Sequence, residues 1–88
     1  MRRDGVASRT ACLFDTRRVG DEFVVMADIP GATVDELTIG IDPRTTQLVV
    51  GRGATVLERV DTPWDVAEVT RAWFNNGILE VRLRSARP

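Results

Sequence analysis

The chain has 88 residues, which is enough for one domain with a thin hydrophobic core and too few for two. Hydrophobic residues make up 43% and charged residues 28% of the sequence, a balance that excludes a disordered chain. The net charge is −1 and the twelve basic residues, all Arg, are spread along the chain, which argues against nucleic acid as a partner.

The residue types also restrict the chemistry that the chain can perform. It has no His, the commonest general base and metal ligand, and its single cysteine, Cys12, cannot form an internal disulfide or a thiolate metal cage. No apolar run approaches the length of a membrane span, and the first residues lead into no signal-peptide core. We therefore expect a cytoplasmic protein that is not an enzyme, takes no cofactor or metal and does not enter a membrane.

The first half of the chain reads as an arm followed by strands. Residues 1–10 lack any hydrophobic period and are expected to form a flexible N-terminal arm. A short strand is predicted over 12–18 and, after a turn, a stronger one over 22–29. The second strand carries Val24 and Met26 on the face opposite its main apolar set, and that face is more apolar than a solvated face should be.

The middle of the chain alternates turns with short strands. Pro30-Gly31 ends the second strand, and the spacing of Thr33 and Glu36 predicts one capped helical turn. Strict alternation predicts a half-buried strand over 37–42, and a further strand follows over 47–52. A weaker strand is expected over 56–61, then an irregular segment around Pro63 and one more helical or 3₁₀ turn over 65–68.

Asn76-Gly77 is the strongest local signal in the sequence. Both central residues of a type I′ turn need positive φ, which Gly accepts freely and Asn better than most residues, so a two-residue β-hairpin is predicted here. The predicted pairs are Asn75 with Ile78, Phe74 with Leu79, Trp73 with Glu80, Ala72 with Val81, Arg71 with Arg82 and Thr70 with Leu83. This register sends Ala72, Phe74, Leu79, Val81 and Leu83 to the expected core.

Seven short strands without a long helix predict an all-β fold, an antiparallel β-sandwich. We expect this domain to span residues 11–84 and to be followed by a short, loose tail over 85–88. Several strands are apolar on both faces, so the sequence favours a protein that binds a partner through an apolar groove or an edge strand. Trp73 between Arg71 and Arg82 is the one spot suited to nucleic acid, but a stacked structural cluster is the stronger interpretation.

Three stretches together resemble the α-crystallin domain of the small heat-shock protein (Hsp20) family. Ala27-Asp28-Ile29-Pro30-Gly31 is similar to the family's A-D-L-P-G, and Gln47 to Gly53 is similar to its L-x-I-x-G segment. Ala72 to Leu79 resembles the family signature A-x-x-x-N-G-V-L. The resemblance implies an immunoglobulin-like sandwich that binds unfolding proteins without ATP, catalysis or cofactor.

The resemblance also implies where a partner binds. In the family, a groove between two strands takes a C-terminal I-x-I tail or client segments. The corresponding partner-groove residues here are Leu37, Ile39, Ile41, Val69, Arg71 and Trp73.

Two departures from the family pattern narrow this expectation. The stretch from Arg52 to Val56 has no room for the long loop through which relatives exchange strands, and the tail after Leu83 has no I-x-I element. We therefore expect a monomer or a weak homodimer through an edge strand. The compact form most resembles the Hsp20-like accessory proteins of gas vesicle clusters, which would make the partners hydrophobic gas vesicle proteins. The alternative is an adaptor or scaffold sandwich that docks one folded partner and holds nothing unfolded.

Overall fold

The computed structural model describes residues 12–87, and within them the chain forms two antiparallel sheets. The strands are β1 (Leu13–Val19), β2 (Glu22–Asp28), β3 (Leu37–Ile41), β4 (Leu48–Arg52), β5 (Thr55–Val60), β6 (Ala67–Asn75) and β7 (Ile78–Ser85), with a 3₁₀ helix at Val34–Glu36 before β3. One sheet has the order β1-β2-β7-β6 and the other β3-β4-β5. The predicted antiparallel β-sandwich is confirmed, while the expected arm at 1–10 lies outside the described residues.

The core lies between the two sheets and is entirely apolar in the described part of the chain. Alternation along each strand sends every second side chain inward, so the central strands supply most of it. The buried cluster consists of Val25, Ala27, Ile29, Leu48, Val50, Val60, Leu79, Val81 and Leu83. Val24 is also buried, but it lies on the opposite face of β2 and outside that cluster.

The hairpin between β6 and β7 follows the predicted register over most of its length. Asn76 and Gly77 have φ of 51° and 81°, as a type I′ turn requires, and the predicted pairs from Asn75–Ile78 to Arg71–Arg82 are confirmed. Beyond them a bulge shifts the register, so Leu83 pairs with Val69 instead of Thr70. Thr70 turns its hydroxyl to the carbonyl of Arg82, 3.2 Å away. The bulge occurs without a Gly to mark it in the sequence.

Two local predictions were wrong. The helical turn expected over 65–68 does not form, because β6 already begins at Ala67 and the residues before it only bend. Within the tail predicted over 85–88, residues 85 and 86 are not loose either, since Ser85 belongs to β7 and the Ala86 N–H donates to the Val66 carbonyl at 3.0 Å. Both differences have one cause. The edge strand is extended by pairing Ala67 with Ser85, and tertiary pairing overrides the weak local preference.

The placement of the β6 side chains in the core was only partly correct. Leu79, Val81 and Leu83 of β7 are buried, but Phe74 is half-buried and Ala72 is exposed. The reason is topological. β7 is an interior strand of its sheet, whereas β6 is an edge strand whose inward face overhangs the gap between the two sheets.

The turn between β3 and β4 is built around the carboxylate of Asp42. Its Oδ1 accepts the Arg44 backbone N–H at 2.9 Å, and its Oδ2 accepts a hydrogen bond from Arg59 Nη1 of β5 at 3.2 Å. The Asp42 carbonyl also accepts the Thr46 N–H at 2.7 Å. The Arg44 backbone N–H first, then hydrogen bonds from the Arg44 and Arg59 side chains to the carboxylate, lower the pKa of Asp42 from 3.8 to about 2.

This turn predicts a defined acid sensitivity. Because the pKa of Asp42 is lower in the folded than in the unfolded chain, its carboxylate stabilises the fold above about pH 4, and that contribution is lost as the pH falls toward 2. Melting temperatures of the wild type and of Asp42→Asn, measured from pH 7 to 2, should differ by a constant amount down to about pH 4 and then converge. A difference that persists unchanged to pH 2 would contradict this role.

Candidate partner-binding groove

An apolar groove lies where β3 of one sheet faces β6 of the other. Both are edge strands, so the two sheets are not joined at this side of the sandwich. Seven side chains line the groove, namely Val34, Leu37, Ile39, Ala72, Trp73, Phe74 and Leu79. Its volume is about 100 Å³, well below the roughly 300–1,000 Å³ of pockets for small molecules. The groove therefore has room for an aliphatic side chain but not for a cofactor.

The 3₁₀ helix positions one rim of the groove. The Thr33 N–H donates to Glu36 Oε1 at 2.9 Å, as the capping spacing predicted, and this hydrogen bond is the main cause of a lowered pKa for Glu36. Glu36 also pairs with Arg52 Nη2 of β4 at 3.2 Å, and its carbonyl accepts the Gly53 N–H at 2.8 Å. This anchored turn leaves Val34 64% exposed beside the groove.

Trp73 and Arg71 form the opposite rim, on β6. The Arg71 guanidinium carbon lies 4.3 Å from the centroid of the Trp73 ring, a cation–π distance. Trp73 is 39% exposed, so one part of the ring remains open to a partner. The stacked cluster expected from the sequence is thus present at the groove's edge.

The structure brings three of the six residues predicted for the groove together. Leu37, Ile39 and Trp73 line it, while Arg71 reaches it only through the Trp73 ring. Ile41 and Val69 are half-buried and pack against the core instead. Sequence reasoning missed Val34 as a lining residue and assigned Ala72 and Phe74 to the core, whereas Leu79 is a core residue, as predicted, that also borders the groove. Alternation along β6 predicts that Ala72 points inward, and only the sheet order reveals that no other residue within 12–87 covers it.

A second, larger depression of about 570 Å³ lies around Trp64 and has mixed charge. The Arg18 guanidinium lies 5.4 Å from the Trp64 ring centroid, and Phe23 meets the same ring edge-on at 6.3 Å. Arg87 Nε donates to Asp65 at 3.0 Å, which lowers the pKa of that carboxyl. The Arg87–Asp65 pair attaches the segment after β7 to the loop before β6, and the contacts of Trp64 attach the same loop to β1 and β2. Because most of its charged side chains form ion pairs, we interpret this depression as part of the structure and not as a binding site.

The described residues show neither a metal site nor a membrane-spanning helix. No three metal-ligating side chains cluster within 12–87. No helix in that same part of the chain is long and apolar enough to cross a bilayer.

The fold is similar to that of a small heat-shock protein, Hsp14.1 from Sulfolobus solfataricus P2. The Del-C4 mutant of that protein matches with a TM-score of 0.68 and 20% identity, covering 86% of this chain and 76% of that chain. A point mutant of Hsp14.1 has the same TM-score and identity and covers 83% of this chain. The likeness defines the class, an Hsp20-like β-sandwich.

The chain belongs to the GvpH family, whose sequence profile matches residues 5–88. Gas vesicle protein H1 of Halobacterium salinarum is 42% identical over 66 residues, which is 73% of this chain. Gas vesicle protein H of Haloferax mediterranei is 34% identical over 70 residues, or 78% of this chain. The matched segments make up 35% and 32% of these relatives, so the chain spans about a third of their length. The predicted membership of the Hsp20-like gas vesicle branch is confirmed.

Proposed function

We propose that this chain is a chaperone-like domain that binds apolar segments of partner proteins without ATP, and that its partners are hydrophobic proteins of gas vesicle assembly in the cytoplasm. The observation that carries the proposal is the apolar groove between two edge strands, which residues 12–87 leave uncovered. An extended segment can hydrogen-bond to an unpaired strand edge while one of its apolar side chains enters the groove. The names of the curated relatives supply the gas vesicle context.

The composition of the groove supports binding rather than chemistry. All seven lining residues are apolar, so the groove offers a partner burial of its own apolar surface as the main source of affinity. No residue in the groove can act as a general base or nucleophile, which supports a protein without enzymatic activity.

The small volume of the groove favours a second candidate, a selective adaptor. A site that holds a single aliphatic side chain discriminates between partners, whereas a general holdase needs a broad apolar surface. Titration against a client that aggregates on heating separates the two candidates. Suppression of light scattering at equimolar ratio supports the chaperone-like domain, while no suppression at several-fold excess, with one stoichiometric partner in a pull-down, supports the adaptor.

A charge at the rim of the groove should weaken partner binding, whether the domain acts as a chaperone or as an adaptor. Val34→Glu places a carboxylate beside the apolar lining, where a bound segment would have to desolvate it. We expect at least a tenfold loss of affinity or protection, measured by scattering or by titration calorimetry with the captured partner. The matched control is Val56→Glu on β5, because Val56 is similarly exposed, at 52% against 64%, but does not line the groove. Equal losses in both variants would exclude the groove as the binding site.

A further inference from the structure

The face of the four-stranded sheet that points away from the core, here termed the outer face, has an ordered charge pattern. The register of β1, β2, β7 and β6 aligns their outward side chains into rows that run across the strands. One central row consists of Asp15, Met26, Glu80 and Trp73. The adjacent row consists of Arg17, Val24, Arg82 and Arg71. The first row is acidic and apolar, and the second has an Arg on three of its four strands.

On β1, β7 and β6, the residue of the first row can pair with the residue of the second row on another copy of the chain. Each strand offers a pair two residues apart, for example Asp15 and Arg17 on β1 or Glu80 and Arg82 on β7. On β2 only Met26 is partly exposed, because Val24 of the second row is 1% exposed, and on β6 the pair joins an aromatic ring to a guanidinium. A surface whose two halves complement each other is suited to a second copy of itself related by two-fold symmetry.

We propose that the outer face binds a second copy of this chain, with the strands of the two sheets running in opposite directions. The proposed two-fold axis lies in the plane of the interface, perpendicular to the strands and midway between the two rows. It places each row of one subunit opposite the other row of the partner subunit. Asp15 then meets Arg17 of the partner subunit, and Glu80 meets Arg82 of the partner subunit. Trp73 meets Arg71 of the partner subunit in a cation–π contact. A two-fold axis along the strands would instead set Arg against Arg, which like-charge repulsion disfavours.

The outer face is already ordered for this contact. Arg82 donates from Nη1 to Glu22 at 2.9 Å and from Nε to Glu80 at 2.8 Å, which orders these three side chains in the free chain and raises the pKa of Arg82. Fewer rotamers are therefore lost on association. Apolar surface remains as well, since Leu13 is 71% and Ile78 38% exposed on the row beyond Asp15 and Glu80.

The size of the face predicts a weak dimer. Four strands about 4.8 Å apart and seven residues long, at about 3.3 Å per residue, give a patch of roughly 400 Å² in projection. Stable interfaces bury about 800 Å² on each partner, so we expect a dissociation constant in the micromolar range. Binding through this face leaves β3 uncovered, but it engages Trp73 of β6, which also lines the groove.

A charge swap on β1 tests the pairing and its orientation. Asp15 and Arg17 are both exposed, so their replacement should leave the fold intact. By symmetry, Asp15→Arg creates two Arg–Arg contacts and Arg17→Asp two Asp–Asp contacts, and each should raise the dissociation constant at least tenfold. The double variant Asp15→Arg/Arg17→Asp restores both contacts and should return it to within about threefold of the wild type. Sedimentation velocity from micromolar to millimolar concentration measures all four proteins.

The oligomeric states of these four proteins distinguish the proposed dimer from the alternatives. A wild type that stays monomeric to millimolar concentration would overturn the proposal, as would a dimer that the single charge reversals leave unchanged. The latter result would favour the edge-strand dimer expected from the sequence. A double variant as weak as either single one would overturn the antiparallel orientation. Circular dichroism and melting curves of each variant establish that the fold is retained.

Discussion

Replacement of Leu48 by Ala should lower the free energy of unfolding by about 2 to 5 kcal/mol. Leu48 is 0% exposed and begins β4, the central strand of the three-stranded sheet, where it pairs with Ile41 and Val60. Its side chain is part of the apolar layer that holds the two sheets together. For a domain of this size the loss should reduce the melting temperature by more than about 10 °C.

The chain provides a matched control for that substitution. Leu13→Ala removes the same atoms from a side chain that is 71% exposed at the start of β1, so we expect a loss of less than about 1 kcal/mol. Urea unfolding at low protein concentration, where no dimer forms, compares the two variants directly. Similar losses at both positions would mean that the two sheets do not pack through Leu48.

The features that sequence predicted well are those that depend on neighbouring residues. The Asn76-Gly77 turn fixes its own register because two positive φ angles leave few alternatives. The capped turn from Thr33 to Glu36 is similarly local, since both of its partners lie within four residues. Strand positions followed from alternation and from the turn residues between strands, which is why the architecture could be inferred before any contact was known.

The features that sequence missed depend on which strands lie at the sheet edges. Ala72 has the alternation of a core residue, and it is exposed only because β6 is an edge strand above the gap between the sheets. Val34 lies in a polar turn whose sequence gives no sign that it borders a groove. The Trp64 contacts with Arg18 and Phe23 join residues more than forty positions apart. No periodicity within one segment carries such information.

We propose that the groove and the outer face serve different contacts, the groove with another protein and the outer face with a second copy of the chain. The groove is apolar and small, which suits a side chain of a different protein, whereas the outer face is charged and self-complementary, which suits a second copy. The two surfaces meet at Trp73, whose ring lies on the outer face of β6 and also borders the groove, and at Arg71, which stacks on that ring. A partner bound in the groove should therefore influence dimerisation, and the Arg71–Trp73 contact is the place where the two would meet.

Replacement of Gly51 by Ala should destabilise the fold by about 1 to 3 kcal/mol, because a methyl group does not fit there. Gly51 is buried in β4 at a bulge, between Thr38 of β3 and Val56 of β5. A Cβ atom at this position would lie 2.7 Å from Thr38 Oγ1 and 3.1 Å from the Thr55 carbonyl oxygen. The Thr38 hydroxyl can rotate away, but the Thr55 backbone can yield only if β5 shifts.

Two further variants separate these contacts, and both can be measured by thermal unfolding. Gly40→Ala on β3 is the control, because nothing lies within 4 Å of its added Cβ, and we expect a change of less than about 0.5 kcal/mol. Thr38→Ala in the Gly51→Ala background should recover only the part of the loss due to the hydroxyl. Full recovery would mean that the β5 backbone exerts no constraint. A remaining loss would show that Gly51 is required for the close approach of β4 and β5, on which the position of β3 and its wall of the groove depends.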